Sequence, residues 1–278
     1  MPSITTGDGV NLHYTDSGGP GRPLVLVHGW PLSGEAFAGN VETFRAAGLR
    51  VIAYDRRGFG ASDKPVAGYD YDTLAADLGE ILDQLDLTGV VVLGFSMGGG
   101  EVARLFGSAA SAMSRVAGVV FSGAITPALC LTDDNPDGAM PLGNFEAMAA
   151  ACREDHAGFL DQFVGWFYST ENAGLLVSEE VRQQALRLAL ASDPEAAWRC
   201  ILIWATDLRQ DCLKVDVPAL VIHGDGDINV PLDKSSARMA AFVADCRLEV
   251  IEGGPHGVNV THSEQWEASI LEFTRALG

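Results

Sequence analysis

Five short runs of nearly uninterrupted apolar residues constrain this chain most: Pro23–His28, Arg50–Tyr54, Val90–Leu93, Val116–Phe121 and Ala219–Ile222. A strand that is apolar at almost every position is buried on both faces, which is the environment of a parallel sheet covered by helices. Between the runs lie segments with helical spacing. In Tyr71–Leu87, residues Leu74, Leu78, Ile81, Leu82 and Leu85 share one face. Near the start, Gly9 to Thr15 alternates as a half-exposed strand, and Ser17-Gly-Gly-Pro-Gly21 turns it. Strands alternating with helices predict an α/β fold with a mostly parallel central sheet flanked by helices.

The alternation stops between residues 124 and 210. Phe145, Met148, Phe159, Phe163, Trp166, Phe167, Trp198 and Trp204 recur there at largely helical spacings, with no convincing strand pattern. This stretch reads as a helical cap inserted into a core made of residues 1–123 and 211–278. A chain of 278 residues has the length for one such core and a modest insertion.

The charge balance narrows the partners. With 37 acidic against 18 basic residues the net charge is -19, a surface that repels phosphate backbones and speaks against nucleic acid. No run approaches ~18 apolar residues, so no membrane span is expected. The N-terminal MPSITTGDGV lacks the basic and apolar segments of a secretory signal, and the expected location is the cytoplasm. The five cysteines, Cys130, Cys152, Cys200, Cys212 and Cys246, are scattered without a C-x-x-C pair. They suggest neither a disulfide framework nor a zinc site, and should be reduced.

The strongest chemical signal is Gly94-Phe95-Ser96-Met97-Gly98, a G-x-S-x-G that follows the apolar run at Val90 and opens a helical segment at Gly100. In that strand–turn–helix context the turn strains the serine and exposes its hydroxyl. A serine hydroxyl is a weak nucleophile, so it needs a base, and the base needs an orienting carboxylate. The order along such a chain is Ser, then Asp or Glu, then His. Asp227 lies in His223-Gly-Asp-Gly-Asp227, just past a strand, and His256 lies in Gly253-Gly-Pro-His-Gly257, past Leu248–Ile251. Ser96, Asp227 and His256 are therefore the expected triad. The other histidines are read as structural: His13 precedes the serine, His28 and His223 end strands, His156 lies in the insertion and His262 begins the last helix.

Acyl transfer also needs donors for the charge that develops on the carbonyl oxygen. The backbone N–H of Met97, after the nucleophile, should be one, and that of Trp30, in the loop His28-Gly-Trp-Pro31, the other. Asp225, Asp227 and Asn229 alternate like the start of a calcium loop. Val230 and Ser236, however, stand where that loop needs Gly and Glu. Walker, H-E-x-x-H and G-x-G-x-x-G motifs are missing. No metal or other cofactor is implied. Tyr54-Asp-Arg-Arg-Gly-Phe-Gly60 reads as a structural loop.

His28-Gly-Trp-Pro-Leu32, Tyr54–Gly60, Gly68-Tyr-Asp-Tyr-Asp72, Gly94–Gly98, Trp204-Ala-Thr-Asp-Leu-Arg209, His223–Asp227 and Pro255-His-Gly257 together resemble the cofactor-free haloperoxidase and aryl esterase family, almost end to end. The resemblance implies a Ser–His–Asp hydrolase of small esters, with lactonase or lactamase activity in some members and peracid formation from hydrogen peroxide. It implies the same triad and oxyanion donors, and a pocket lined by Leu129, Phe163, Phe167, Trp204, Asn229, Val230 and Val258. Asn229 departs from the apolar residue expected there, which puts the polarity of the substrate in question. Two other readings share the triad: a carbon–carbon bond hydrolase, and a ligand receptor with little turnover. The expected partner is a small-molecule ester; the sequence leaves oligomeric state open, a homo-oligomer included.

Overall fold

The computed structural model describes residues 2–108 and 111–278. The part of the chain before residue 124 supplies strands β1 (Ser3–Thr5), β2 (Asn11–Asp16), β3 (Pro23–Val27), β4 (Arg50–Tyr54), β5 (Val90–Phe95) and β6 (Val116–Ser122). Helices α1 (Ala38–Ala46), α2 (Tyr71–Gln84) and α3 (Gly98–Gly107) connect them. From β3 onward each apolar run of this part has become a strand. All six residues of β5 and four of the five in β3 are buried. α2 starts where the Asp70 carboxylate accepts the Thr73 N–H at 2.9 Å, and it buries Leu74, Leu78, Ile81 and Leu82. Leu85, expected on that face, is the C-cap rather than part of the helix.

Residues 124–210 contain helices α4 (Leu142–Glu154), α5 (His156–Phe167), α6 (Glu179–Leu190) and α7 (Pro194–Ile203), and the start of the short α8 (Arg209–Cys212). Asp155, Ser178 and Asp193 cap α5, α6 and α7 with their side chains. The stretch is not wholly strandless. β7 (Cys130–Leu131) pairs with β8 (Met140–Pro141), and β9 (Ser169–Thr170) with β10 (Gly174–Leu175). Ladders of two residues are too short to produce a period in the sequence.

The chain then returns with β11 (Ala219–Gly224) and β12 (Cys246–Ile251), followed by α9 (Val258–Thr261) and α10 (Ser263–Ala276). The eight-stranded sheet runs β1-β2-β4-β3-β5-β6-β11-β12. β1 and β2 join antiparallel, and every pairing from β4 to β12 is parallel. β6 and β11, on either side of the insertion, are direct neighbours with Val119 beside Ala219. One α/β sheet thus spans both core segments. It carries the ends of β3, β5, β6 and β11 to one edge, where loops can converge.

Candidate active site

Ser96 stands at the sharp turn between β5 and α3 with φ +54°, a left-handed conformation that costs a non-glycine residue on the order of 1–3 kcal/mol. The turn tolerates it because the backbone is held: the Ser96 N–H donates to Ser122 O at 2.8 Å, and Ser96 O accepts from Gly99 at 3.0 Å. Close approach explains the flanking glycine. A Cβ on Gly98 would lie 2.6 Å from the Val27 carbonyl oxygen.

The loops after β11 and β12 bring Asp227 and His256 together. His256 Nδ1 lies 2.6 Å from Asp227 Oδ2, both side chains buried. The backbone N–H groups of Asn229 and Val230 donate to Asp227 Oδ1 at 2.9 and 2.8 Å. Burial by itself would raise the pKa of this carboxyl. The His256 charge and hydrogen bonds from His223 and His256 outweigh burial and hold it well below the usual carboxylate range. His256 is clamped between the rings of Phe95 and Phe167, with centroids at 5.1 and 4.8 Å. Its Nε2 is buried without a hydrogen-bond partner among the described residues, and the ring lines the same cavity as Ser96.

His223 lies near the end of β11, as its place in the sequence implies, yet it also touches the acid. Its Nδ1 accepts the Ser236 hydroxyl at 2.7 Å, and its Nε2 lies 2.8 Å from Val230 O. That pattern puts the proton on Nε2, which also lies 3.1 Å from Asp227 Oδ2. The second carboxylate oxygen thus receives both imidazoles. Asp225, two residues earlier in the same loop, is engaged elsewhere: its Oδ1 accepts the Gly253 N–H at 2.7 Å.

The loop after β3 packs against the serine. A Cβ on Gly29 would sit 3.0 Å from Ser96 Cβ, so only glycine lets the two backbones approach. Among the described residues, neither the Trp30 nor the Met97 N–H donates a hydrogen bond, while the Trp30 indole N–H is held by Ala197 O at 3.0 Å. A buried network braces this loop. Arg56 pairs with Glu101 and donates from Nη2 to His28 O at 2.6 Å. Tyr54 donates to Glu101 at 2.9 Å, and His28 Nε2 accepts the Arg56 N–H at 3.0 Å. Burial and the Arg56 charge keep His28 neutral. Burial likewise pushes the Glu101 carboxyl up to about 7, against the pull of Arg56. The Tyr54–Gly60 loop is therefore a structural element, as its glycines suggest, but one that supports the site.

A cavity of about 120 Å³ opens onto Ser96 and His256. Of the expected pocket residues, Leu129, Phe163, Trp204, Asn229 and Val230 line it. Phe167 and Val258 do not: Phe167 packs behind His256, and Val258 is fully buried under the Gly254 turn. Ile125, Met140, Phe145, Met148, Trp166 and Ile228 complete the lining. Their apolar character was visible in the sequence, but helical periodicity does not say which face of α4 or α5 turns toward the serine. Among the described residues, no three His, Cys, Asp or Glu side chains gather as a metal site, and no helix is long and apolar enough to cross a membrane. All five cysteines are unpaired.

Residues 22–263 match the family model described as alpha/beta hydrolase fold. A non-heme chloroperoxidase from Streptomyces lividans is 39% identical over 99% of this chain and 100% of its own. The crystal structure of a bromoperoxidase from Bacillus anthracis superposes with a TM-score of 0.93 at 38% identity, covering 99% of this chain and 100% of that one. An esterase from Exiguobacterium antarcticum superposes with a TM-score of 0.91 at 30% identity, covering 98% of each chain. The chain belongs to the α/β-hydrolase fold family, among the relatives of the non-heme haloperoxidases and esterases.

Proposed function

We propose that the protein hydrolyses small carboxylic esters through an acyl-enzyme on Ser96. One arrangement carries this reading: a strained serine and a histidine with a free Nε2 share one cavity, and a buried aspartate holds the histidine's other nitrogen. Ser96 Oγ attacks the ester carbonyl and His256 Nε2 takes its proton. The Trp30 and Met97 N–H groups receive the oxyanion. The intermediate collapses, and His256 returns the proton to the departing alcohol. Water, deprotonated by His256, then attacks the acyl carbonyl and releases the acid and Ser96. Hydrogen peroxide in place of that water gives a peracid, an oxidant for halide; the names of the chloroperoxidase and bromoperoxidase relatives support this second outcome. Lactones, as cyclic esters, enter by the same steps, and lactams by their amide analogue. A carbon–carbon bond hydrolase and a slow receptor share the triad but find no separate support in the cavity.

A water's share of liquid volume is ~30 Å³, so a cavity of about 120 Å³ suits acyl groups of a few heavy atoms. The test is a series of p-nitrophenyl esters from acetate to octanoate, with and without peroxide. Rates should peak at the short end, and Ser96→Ala should lose on the order of 10⁶ in kcat while keeping its unfolding midpoint. Near-native turnover by Ser96→Ala would remove the serine from the chemistry.

A further inference from the structure

Apart from Ser96 and His256, the cavity is apolar except in two places, and both are unsatisfied. Asn229 is buried at its side-chain nitrogen and oxygen, and neither atom has a hydrogen-bond partner among the described residues. The indole nitrogen of Trp204 is buried and unpartnered too. Both residues line the cavity that holds Ser96 and His256. Burying a carboxamide without partners is costly, and such groups in folded proteins call for an explanation. Leu129, Met148, Phe163 and Ile228 of the lining offer no strong donor or acceptor, and Ser96 and His256 make no hydrogen bond to the amide. Asn229 is also held rigidly: its own N–H is tied to the Oδ1 of Asp227, so the amide is carried by the loop that sets the acid.

The unpartnered atoms define what they can recognise. Asn229 offers an acceptor and two N–H donors, and Trp204 offers one more donor. Among the described residues no Lys or Arg lines the cavity, so a substrate carboxylate would enter without a fixed counter-charge; no Asp or Glu lines it either, so an ammonium would fare no better. The match is a small neutral group that both donates and accepts, and a hydroxyl is the smallest. The acyl chain, which the reading above places in this cavity, is the part of the ester that would carry the group.

We infer that Asn229, with the Trp204 indole N–H, forms a polar subsite that selects esters whose short acyl chain carries a hydroxyl group. The inference rests on the ester-hydrolase reading above. An apolar cavity gains little from an added hydroxyl, whereas a site built to bond one disfavours the analogue that lacks it.

Phenyl butyrate and racemic phenyl 3-hydroxybutyrate share a leaving group and differ by one hydroxyl, so phenol release compares them directly. Wild-type kcat/KM should favour the hydroxy ester on the order of 10-fold. Asn229→Leu should lower that ratio about 10-fold, and Trp204→Phe, which keeps a ring and loses the N–H, should lower it by less. A wild-type ratio at or below one, or a ratio unmoved by Asn229→Leu, overturns the subsite while leaving the esterase standing. If neither ester is turned over, the ester-hydrolase reading fails on its own. The subsite is then decided by NMR titration of Ser96→Ala with butyramide and 3-hydroxybutyramide. Tighter binding of the hydroxy amide that Asn229→Leu abolishes supports it, and equal affinity overturns it.

Discussion

Two aspartates two positions apart on the β11 loop have different tasks. Asp227 accepts from two backbone N–H groups on one oxygen and faces two imidazoles on the other, while Asp225 holds the turn at Gly253. Asp227→Asn removes the acceptor for the His256 Nδ1–H and favours the wrong tautomer, so kcat should fall by about 10⁴. Asp225→Asn weakens one exposed turn bond and should cost stability within about 1 kcal/mol, with kcat close to wild type. Turnover and urea midpoints of both variants check this. A large kcat loss confined to Asp225→Asn would exchange the roles. The Ser–Asp–His order was legible because each residue sits in turn chemistry just past an apolar run. His223 was not, since its contact with Asp227 depends on how the loop folds back over the strand end.

At the scale of elements, α3 does more than present the serine. Glu101 in its first turn is fully buried and joins α3 to β4 and to the loop after β3 through Arg56, Tyr54 and His28. Burial dominates its titration and sets the carboxyl at about 7, above its ordinary 4.5. A carboxyl whose pKa is raised on folding binds protons more tightly in the folded state. The stability it lends is full below about pH 4.5 and is lost as the pH rises through about 7. Asp227 acts with the opposite sign, and its contribution is lost only as pH falls below 3.8, outside that window. Glu101→Gln should flatten the decline in unfolding free energy between pH 5 and pH 7.5 by on the order of 1–3 kcal/mol. Identical slopes in the two proteins would show that Glu101 does not titrate there. The strands and α2 were readable because burial on two faces and a helical stripe leave local periods. The Arg56–Glu101 pair was not, because its partners are 45 positions apart.

The whole molecule carries a net charge of -19, and most of its ion pairs lie at the surface. Excess like charge destabilises the compact state through self-repulsion, which salt screens. The melting temperature near neutral pH should therefore rise by several degrees between about 0.05 and 0.5 M sodium chloride. A flat or falling dependence would show that the acidic residues are already neutralised by local pairing. Hydrogen bonds tie the insertion to the core beside the site: Ala197 of α7 accepts the Trp30 indole N–H, and Phe167 O accepts the Gly257 N–H. Trp30 also packs edge-on against Phe163 and Trp204, at 4.7 and 5.0 Å between centroids. The loop with the expected oxyanion donor is thus shaped by the insertion above it.

The sequence by itself determined the fold class, the place of the nucleophile's turn and the helical nature of the insertion, because each is written in neighbouring residues. An all-apolar run implies burial on two faces, G-x-S-x-G after a strand implies a strained turn, and aromatic residues at helical spacing imply packed helices. Only the tertiary structure decided which residues meet at the cavity. Ser96, Met148, Trp204 and Asn229 come from four separate segments, and their meeting depends on the β6–β11 pairing and the docking of the cap. It also moved Phe167 and Val258 behind the site, brought His223 to the acid and left the Asn229 amide without a partner among the described residues. Contacts between residues distant in sequence leave no period to read, so they emerge only when the chain has packed.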